Sequence, residues 1–248
     1  MDLFQKKILK QILSLPKNAP DCAVYILTGM WPIELQIQYK ALICYNNIYN
    51  LNDISIEKEI ARRQLSIKNN NSKSCFMEIK NLLLKYDLED PIILLENPVK
   101  KKEWKRTVNK AINFKWKTQL QETKKLYKNL QYLNVGNPYY KGIHNLLRIN
   151  CKSARYVDRI PVKLKLITGT YLLQTSKAAI KKNGNDSICL ICGKDDEAVE
   201  HFILQCPALS VVRDPVITEI SFILYEQHRI NFDTFNIQKK IQTILDCA

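Results

Sequence analysis

The chain has 248 residues, of which 46% are hydrophobic, and its formal net charge is +14. A chain of this length and composition can bury a core, which excludes a wholly disordered protein. No apolar run reaches the ~20 residues that cross a bilayer, and the first residues carry charges every few positions, unlike a secretory signal. We therefore expect an intracellular protein, nuclear or cytoplasmic, that is neither membrane-bound nor secreted.

Apolar residues recur at helical spacing through most of the chain. In chain order this spacing predicts helices over residues 3–15, 33–51, 55–67 and 74–86. Pro16 is expected to end the first helix and Ser55 to cap the third. Residues 68–72 are polar and predict a loop, whereas the short apolar segment 92–95 gives no clear assignment.

The longest helical pattern runs from residue 99 to residue 130, with apolar residues about 3.6 positions apart. Its apolar stripe, which includes Trp104 and Trp116, is predicted to face the core. Short basic helices follow as far as Ile180. Almost no segment alternates with a period of two, and only six glycines occur. The sequence therefore predicts a mainly α protein with a bundle-like helical body, to which Cys189, Cys192, His201 and Cys206 near the C terminus add a small zinc knuckle.

Four regions follow from this pattern. They are an N-terminal helical region (1–98), a basic helical region (99–182), a knuckle (186–213) and a C-terminal helical tail (214–248).

The positive charge is concentrated in one third of the chain. Residues 100–182 hold 21 Lys and Arg but three acids, whereas the remainder holds 17 basic and 21 acidic residues. Such a block favours nucleic acid as a partner, because each neutralised phosphate releases counterions. A merely solvated lysine-rich face and docking on an acidic membrane are the alternatives. The candidate nucleic-acid-binding residues are Lys101, Lys102, Lys105, Arg106, Lys110, Lys117, Lys124, Lys125 and Lys128.

A C-x2-C-x8-H-x4-C motif is the clearest chemical signal. Two thiolates separated by two residues can bind one metal ion from a tight turn, and three cysteines with one histidine suit a closed, structural Zn²⁺ site. The expected ligands of one structural Zn²⁺ are Cys189, Cys192, His201 and Cys206.

The residues around this motif carry further expectations. Gly193 is expected to relieve backbone strain after the turn, and Asp195 or Asp196 to cap a short helix that carries His201. That helix must end before Cys206, because residues five apart do not share a helical face, and Pro207 supplies the stop. Glu200 is expected to orient a ligand or to cap the helix, not to bind the metal.

The same segment carries a family resemblance. CLICGKDDEAVEHFILQCPALSVVR is similar to the Cys-x2-Cys-Gly … His-x4-Cys-Pro … Arg segment near the C terminus of non-LTR retrotransposon reverse-transcriptase polyproteins. Upstream, LKLITGTYLLQ resembles the Thr-Gly segment that precedes this knuckle, and LFQKKILKQILSLPKNAPDCAVYILTGMWPIE resembles the stretch after the polymerase palm. The resemblance implies a thumb-to-C-terminus fragment with a nucleic-acid-binding knuckle, and a polymerase domain in cis or in trans as a partner.

Catalytic motifs are missing from this pattern. Residues 156–159 (YVDR) resemble the Tyr-x-Asp-Asp signature of reverse transcriptases, but Arg159 replaces the second carboxylate that two-metal chemistry needs. Asp158 is therefore interpreted as the ion-pair partner of a neighbouring arginine. His144 and Cys151 alone are not expected to bind a metal. We expect no catalytic residue, no enzymatic activity and no small-molecule substrate.

These observations favour a non-catalytic nucleic-acid-binding fragment, whose basic helices contact phosphates of RNA or DNA and whose knuckle holds structural zinc. A zinc-stapled helical protein-interaction module and a degenerate retroelement remnant are the alternatives.

Overall fold

The structure is a computed structural model, and it describes residues 2–69, 72–134, 142–148, 154–180 and 186–246. Within these ranges the chain is mainly helical, as the sequence predicts. The α-helices are α1 (Asp2–Ile12), α2 (Asp21–Thr28), α3 (Ile33–Tyr49), α4 (Ile56–Ile67), α5 (Cys75–Lys85), α6 (Pro91–Glu96), α7 (Lys101–Lys125), α8 (Ala154–Ile167), α9 (Gln174–Ile180), α10 (Ser210–His228) and α11 (Ile237–Asp246). No described helix is both long and apolar enough to span a membrane.

Helices α3, α4 and α5 lie where the apolar spacing places them, and local capping explains their boundaries. The Ser55 side chain accepts a hydrogen bond from the backbone N–H of Lys58 at the start of α4. The Asp90 side chain accepts a hydrogen bond from the backbone N–H of Ile92 and begins α6, which the apolar spacing left unassigned. Helix α2 is also absent from the sequence prediction, because its residues are apolar on nearly every face and show no helical period.

The first helix differs from its prediction. It ends at Ile12, and Ser14 takes a left-handed conformation with φ of 53°. Apolar side chains lie on more than one side of this helix: Leu3 and Phe4 are exposed, whereas Leu9 is buried. The period alone could not show which of two apolar stripes faces the core.

Helix α7 is shorter than predicted, and a short 3-10 turn at Lys128–Leu130 follows it. Trp104 and Ile112 are buried and confirm the predicted core stripe, while Trp116 is half-buried.

The chain folds into two compact units. The first comprises Met1–Gln5 and Trp31–Glu122, and the second comprises Lys6–Met30 and Thr123–Ala248. In this grouping the α2 segment packs with the C-terminal half of the chain. The backbone N–H of His144, for example, donates to the carbonyl of Leu27 at 2.9 Å.

The core of the first unit combines aliphatic and aromatic side chains from α3 to α7. The indole N–H of Trp104 donates to the backbone carbonyl of Leu42 at 2.9 Å, and the Trp104 ring contacts Tyr49 edge-on. The Tyr45 hydroxyl donates to the Pro91 carbonyl at 2.7 Å. These bonds satisfy the polar atoms of buried aromatic residues, so the rings remain in the core at little desolvation cost.

Truncating this core should therefore be costly. Leu42 is 0% exposed and Ile37, on the same helix, is 52% exposed. We expect Leu42→Ala to lower the free energy of unfolding by about 2–5 kcal/mol, and Ile37→Ala to change it by less than about 0.5 kcal/mol. Urea denaturation followed by circular dichroism measures both. Equal effects of the two substitutions would contradict the assigned face of α3.

In the second unit, Asp246 at the end of α11 lies beside His144. Its Oδ1 is 3.7 Å from His144 Nε2, and it is buried without a hydrogen-bond partner among the described residues. Burial raises the pKa of Asp246 to about 6, against the weaker effects of Lys239 and Lys163, and burial lowers the pKa of His144. Each side chain is therefore neutral over a wider pH range than it would be in solvent.

This environment predicts a pH-dependent stability. Because the folded-state pKa of Asp246 lies above its unfolded value, the folded chain holds the proton more tightly. The contribution of Asp246 is thus lost as pH rises from about 4 through about 6. We expect the free energy of unfolding of Asp246→Asn, relative to that of the wild type, to rise by about 1–2 kcal/mol from acid to neutral pH. The full effect is larger, but partial solvation of the carboxylate screens it. Asp233→Asn, at an exposed carboxylate, should show no such gain in the same urea titrations.

Candidate metal centre

The structure brings the four predicted ligands together. One ligand atom from each lies within 4.8 Å of all the others, and no second group of this kind occurs among the described residues. The sulfurs of Cys189 and Cys206 are 4.0 Å apart, and the sulfur of Cys192 lies 3.3 Å from Nε2 of His201. Two sulfurs bound at about 2.3 Å to one tetrahedral ion lie about 3.8 Å apart. These separations fit four donors around one metal ion.

A tight turn presents the first two cysteines. The backbone N–H of Cys189 donates to the Asp195 carbonyl, and that of Gly193 donates to the Cys189 carbonyl, both at 2.8 Å. Ile188 and Asp196 close the turn with an isolated antiparallel bridge. Gly193 has φ of +65°, and a Cβ there would meet no atom within 4 Å. The left-handed backbone conformation alone therefore favours glycine, as predicted.

A widened helical turn presents the other two ligands. Residues His201–Gln205 form a π-helix, and the backbone N–H of Cys206 donates to the His201 carbonyl at 2.7 Å. Because this bond joins residues five apart, His201 and Cys206 lie one above the other along the helix axis. The regular helix ends before Cys206, as expected, and Cys206 itself leaves the α region with ψ of 116° before Pro207. The sequence indicated that a break was needed but not that a π-turn provides it.

Three acidic residues near the ligands differ from their predicted roles. Asp196 lies in the bridge with Ile188, and the helix that carries His201 has no side-chain cap, so the predicted aspartate cap is wrong. Asp195 instead places Oδ2 at 3.8 Å from Nδ1 of His201. The Glu200 carboxylate accepts a hydrogen bond from the Tyr132 hydroxyl. Asp195, not Glu200, is therefore the carboxylate nearest the ring nitrogen that faces away from Cys192.

Backbone groups and one arginine shape the charge of the site. The backbone N–H of Lys194 is the main cause that lowers the pKa of the Cys192 thiol to about 7, whereas burial raises the pKa of Cys206. The Arg213 guanidinium donates to the Cys206 carbonyl at 2.9 Å. The Lys194 N–H thus favours the thiolate form of Cys192, and thiolate is the metal-binding form of cysteine.

The burial pattern shows which contacts stabilise residues 186–209. Between residues 186 and 209, the buried residues are Cys189, His201 and Cys206, all of them candidate ligands. Leu190, within the turn, is 79% exposed. The segment thus has no apolar core of its own, and a bound ion would supply its central contacts.

The predicted nucleic-acid-binding residues lie on α7 and in the turn after it. Seven are exposed and two, Lys117 and Lys124, are half-buried. Burial lowers the pKa of Lys124, and its half-buried side chain is less accessible to a phosphate than its exposed neighbours. Asp158 is exposed on α8, and Cys151 lies outside the described residues.

Comparisons with family models, curated proteins and solved structures find no match to this chain. The site therefore rests on its own geometry.

Loss of one thiol should disrupt this centre locally. We expect Cys192→Ser to weaken divalent metal binding at least about tenfold, because it removes one of four donors. Hydrogen exchange should rise between residues 186 and 209 and stay unchanged in α3 to α5. Cys44→Ser, at an exposed cysteine of α3, is the matched control. Metal analysis and hydrogen-exchange mass spectrometry measure both; identical metal content in the two variants would rule out this site.

Proposed function

We propose that this chain is a non-catalytic nucleic-acid-binding protein whose C-terminal knuckle is held together by one structural zinc ion. The exposed basic residues of α7 carry the proposal. Within the described ranges none of the following seven forms an ion pair with an acidic side chain: Lys101, Lys102, Lys105, Arg106, Lys110, Lys125 and Lys128. Unpaired cations on a solvated helix are available for phosphates.

The arrangement of these residues supports a phosphate-binding role. Lys102, Arg106 and Lys110 follow one another at intervals of four and therefore form a row along one side of α7. The opposite side of the helix is anchored by Trp104 and Ile112. The basic row thus lies on a rigid element, which reduces the ordering cost of binding an extended strand.

Zinc is the ion that the donor set favours. Three thiolates and one imidazole nitrogen are typical of structural zinc, and four protein ligands leave no position for a reacting water. Three thiolates and Zn²⁺ have a net charge of −1, which Arg213 and Lys194 would offset. Metal analysis of the Cys192 and Cys44 variants also identifies the ion, and one zinc per wild-type chain is expected.

The resemblance of the knuckle segment to non-LTR retrotransposon reverse-transcriptase polyproteins agrees with this function. We therefore propose a template RNA or a target DNA as the nucleic acid, with a polymerase domain in cis or in trans as a further partner.

A protein-interaction module is the second candidate, and the surface of α10 favours it. Val211 is 84% exposed and Phe222 is 65% exposed on this helix, although most apolar helices bury such side chains. Added salt separates the two functions. Phosphate binding weakens steeply with salt, whereas a packed apolar interface does not.

Charge reversal tests the phosphate-binding role. We expect K102E/R106E/K110E to weaken binding to single-stranded RNA or duplex DNA by at least about tenfold, and to reduce the salt slope by about 0.7–0.9 for each lost contact. Fluorescence anisotropy at several salt concentrations measures both quantities.

The matched control is K7E/K68E/K73E, which changes three exposed lysines outside the basic region by the same charge. Circular dichroism should show that both variants fold like the wild type. Equal weakening in the control, or binding that salt does not affect, would count against the proposal.

A further inference from the structure

A cleft of about 210 Å³ opens beside the candidate metal centre, within the second unit. Three segments form it: the turn 129–132 after α7, residues 169–176 leading into α9, and residues 198–200 just before His201. Its lining includes Gln131, Tyr132, Gly169, Tyr171, Thr175 and Glu200. None of these residues is a metal ligand, so the metal centre does not account for the cleft.

A fixed carboxylate lies in this cleft. The hydroxyl of Tyr132 and the side-chain amide of Gln131, at 3.4 Å, both donate to Oε1 of Glu200. Burial raises the pKa of Tyr132 and keeps this phenol a donor. Within the described ranges Oε2 of Glu200 accepts no hydrogen bond, which leaves one oriented oxygen for a donor from a ligand.

An aromatic wall lies in the same cleft. The ring of Tyr171 stacks against Phe202, with centroids 6.4 Å apart and an interplanar angle of 28°. Phe202 directly follows His201, so the metal centre and this wall share one short helix. The Thr175 hydroxyl donates to the Glu197 carbonyl at 2.9 Å and joins α9 to the same segment.

At the remaining side of the cleft, two lining segments approach each other closely. Gly169 has φ of +60°, and a Cβ there would lie 2.6 Å from the backbone oxygen of Asn129. The Asn129 side chain also donates to the Thr168 carbonyl at 3.3 Å. The two segments are therefore held together by this close approach and by one hydrogen bond from a side chain to a backbone carbonyl.

The chemistry of the lining indicates its ligand. Among the residues that the structure describes, no lysine or arginine lines the cleft, which disfavours a phosphate. Its volume is below the ~300–1,000 Å³ of most small-molecule sites, so a single flat ring system fits better than a whole nucleotide. A carboxylate beside an aromatic ring selects a planar group whose edge carries N–H donors.

We propose that this cleft binds an unpaired guanine base of the bound strand, with Glu200 accepting from the base edge and Tyr171 stacking on its face. Guanine carries a ring N–H beside an exocyclic amino group, and both can donate to Oε2 of Glu200, which has two free lone pairs. The assignment rests on the proposed nucleic-acid-binding function and adds base selectivity to it.

A nucleoside titration tests the cleft without involving the basic helix. Amide chemical shifts of the full, zinc-loaded chain are followed while guanosine, inosine or adenosine is added. Guanosine should shift residues 129–132, 169–176 and 198–200. Inosine, which lacks the amino group, should bind about tenfold more weakly, and adenosine should bind no better than inosine.

Oligonucleotides test the same cleft in a bound strand. Single-stranded RNAs of equal length are compared by anisotropy at fixed salt, one all-uridine and one with a central guanosine. We expect about tenfold tighter binding of the guanosine strand, and loss of that preference in Glu200→Gln with an unchanged salt slope. Glu197→Gln removes a neighbouring carboxylate outside the cleft and should keep the preference. Zinc content and circular dichroism should match in both variants.

The outcomes separate this inference from the proposed function. Salt-dependent binding without base preference, together with no guanosine shifts, overturns the guanine site and leaves the proposed function standing. Guanosine shifts in the cleft without any oligonucleotide binding support the site and overturn the proposed function. Shifts caused by N-acetylarginine amide but not by guanosine assign the cleft to a cationic side chain of a protein partner, which also overturns the guanine site.

Discussion

The mutual burial of Cys189, His201 and Cys206 is the contact on which the C-terminal segment depends. No apolar side chain between residues 186 and 209 is buried with them. Thiolates this close to one another repel unless a cation lies among them. The geometry of the turn, the bridge between Ile188 and Asp196 and the π-turn all serve to place these donors. A metal ion bound here would therefore couple its own binding to local folding in this part of the chain.

A second constraint is the separation of charge from the core along α7. Trp104, Val108 and Ile112 lie on one side of the helix and are buried, whereas most of its basic side chains are exposed. Three acids among residues 100–182 cannot pair with 21 cations, and burying unpaired charge is costly. The fold therefore leaves a basic surface that an anionic partner can neutralise.

The metal centre and the cleft beside it share structural elements. Glu200 and Phe202 flank His201 on the same short helix; the first holds Tyr132 and the second packs against Tyr171. Order imposed on His201 by a metal ion would thus extend to both walls of the cleft. In the proposed function a zinc ion would have this additional role, because it would orient groups that it does not bind.

The sequence by itself determined the helical class, the positions of α3 to α5 and the four residues that could hold a metal ion, because periodicity, the Ser55 cap and the Cys and His spacing are local properties. Only the tertiary structure decided which apolar stripe of α1 is buried and that Lys124 is half-buried, because both depend on neighbours distant in the chain. It also decided that Asp195, not Glu200, lies closest to the outer ring nitrogen of His201. The turn that brings Asp195 back to His201 is closed by backbone hydrogen bonds, which any side chain can make and no sequence pattern records.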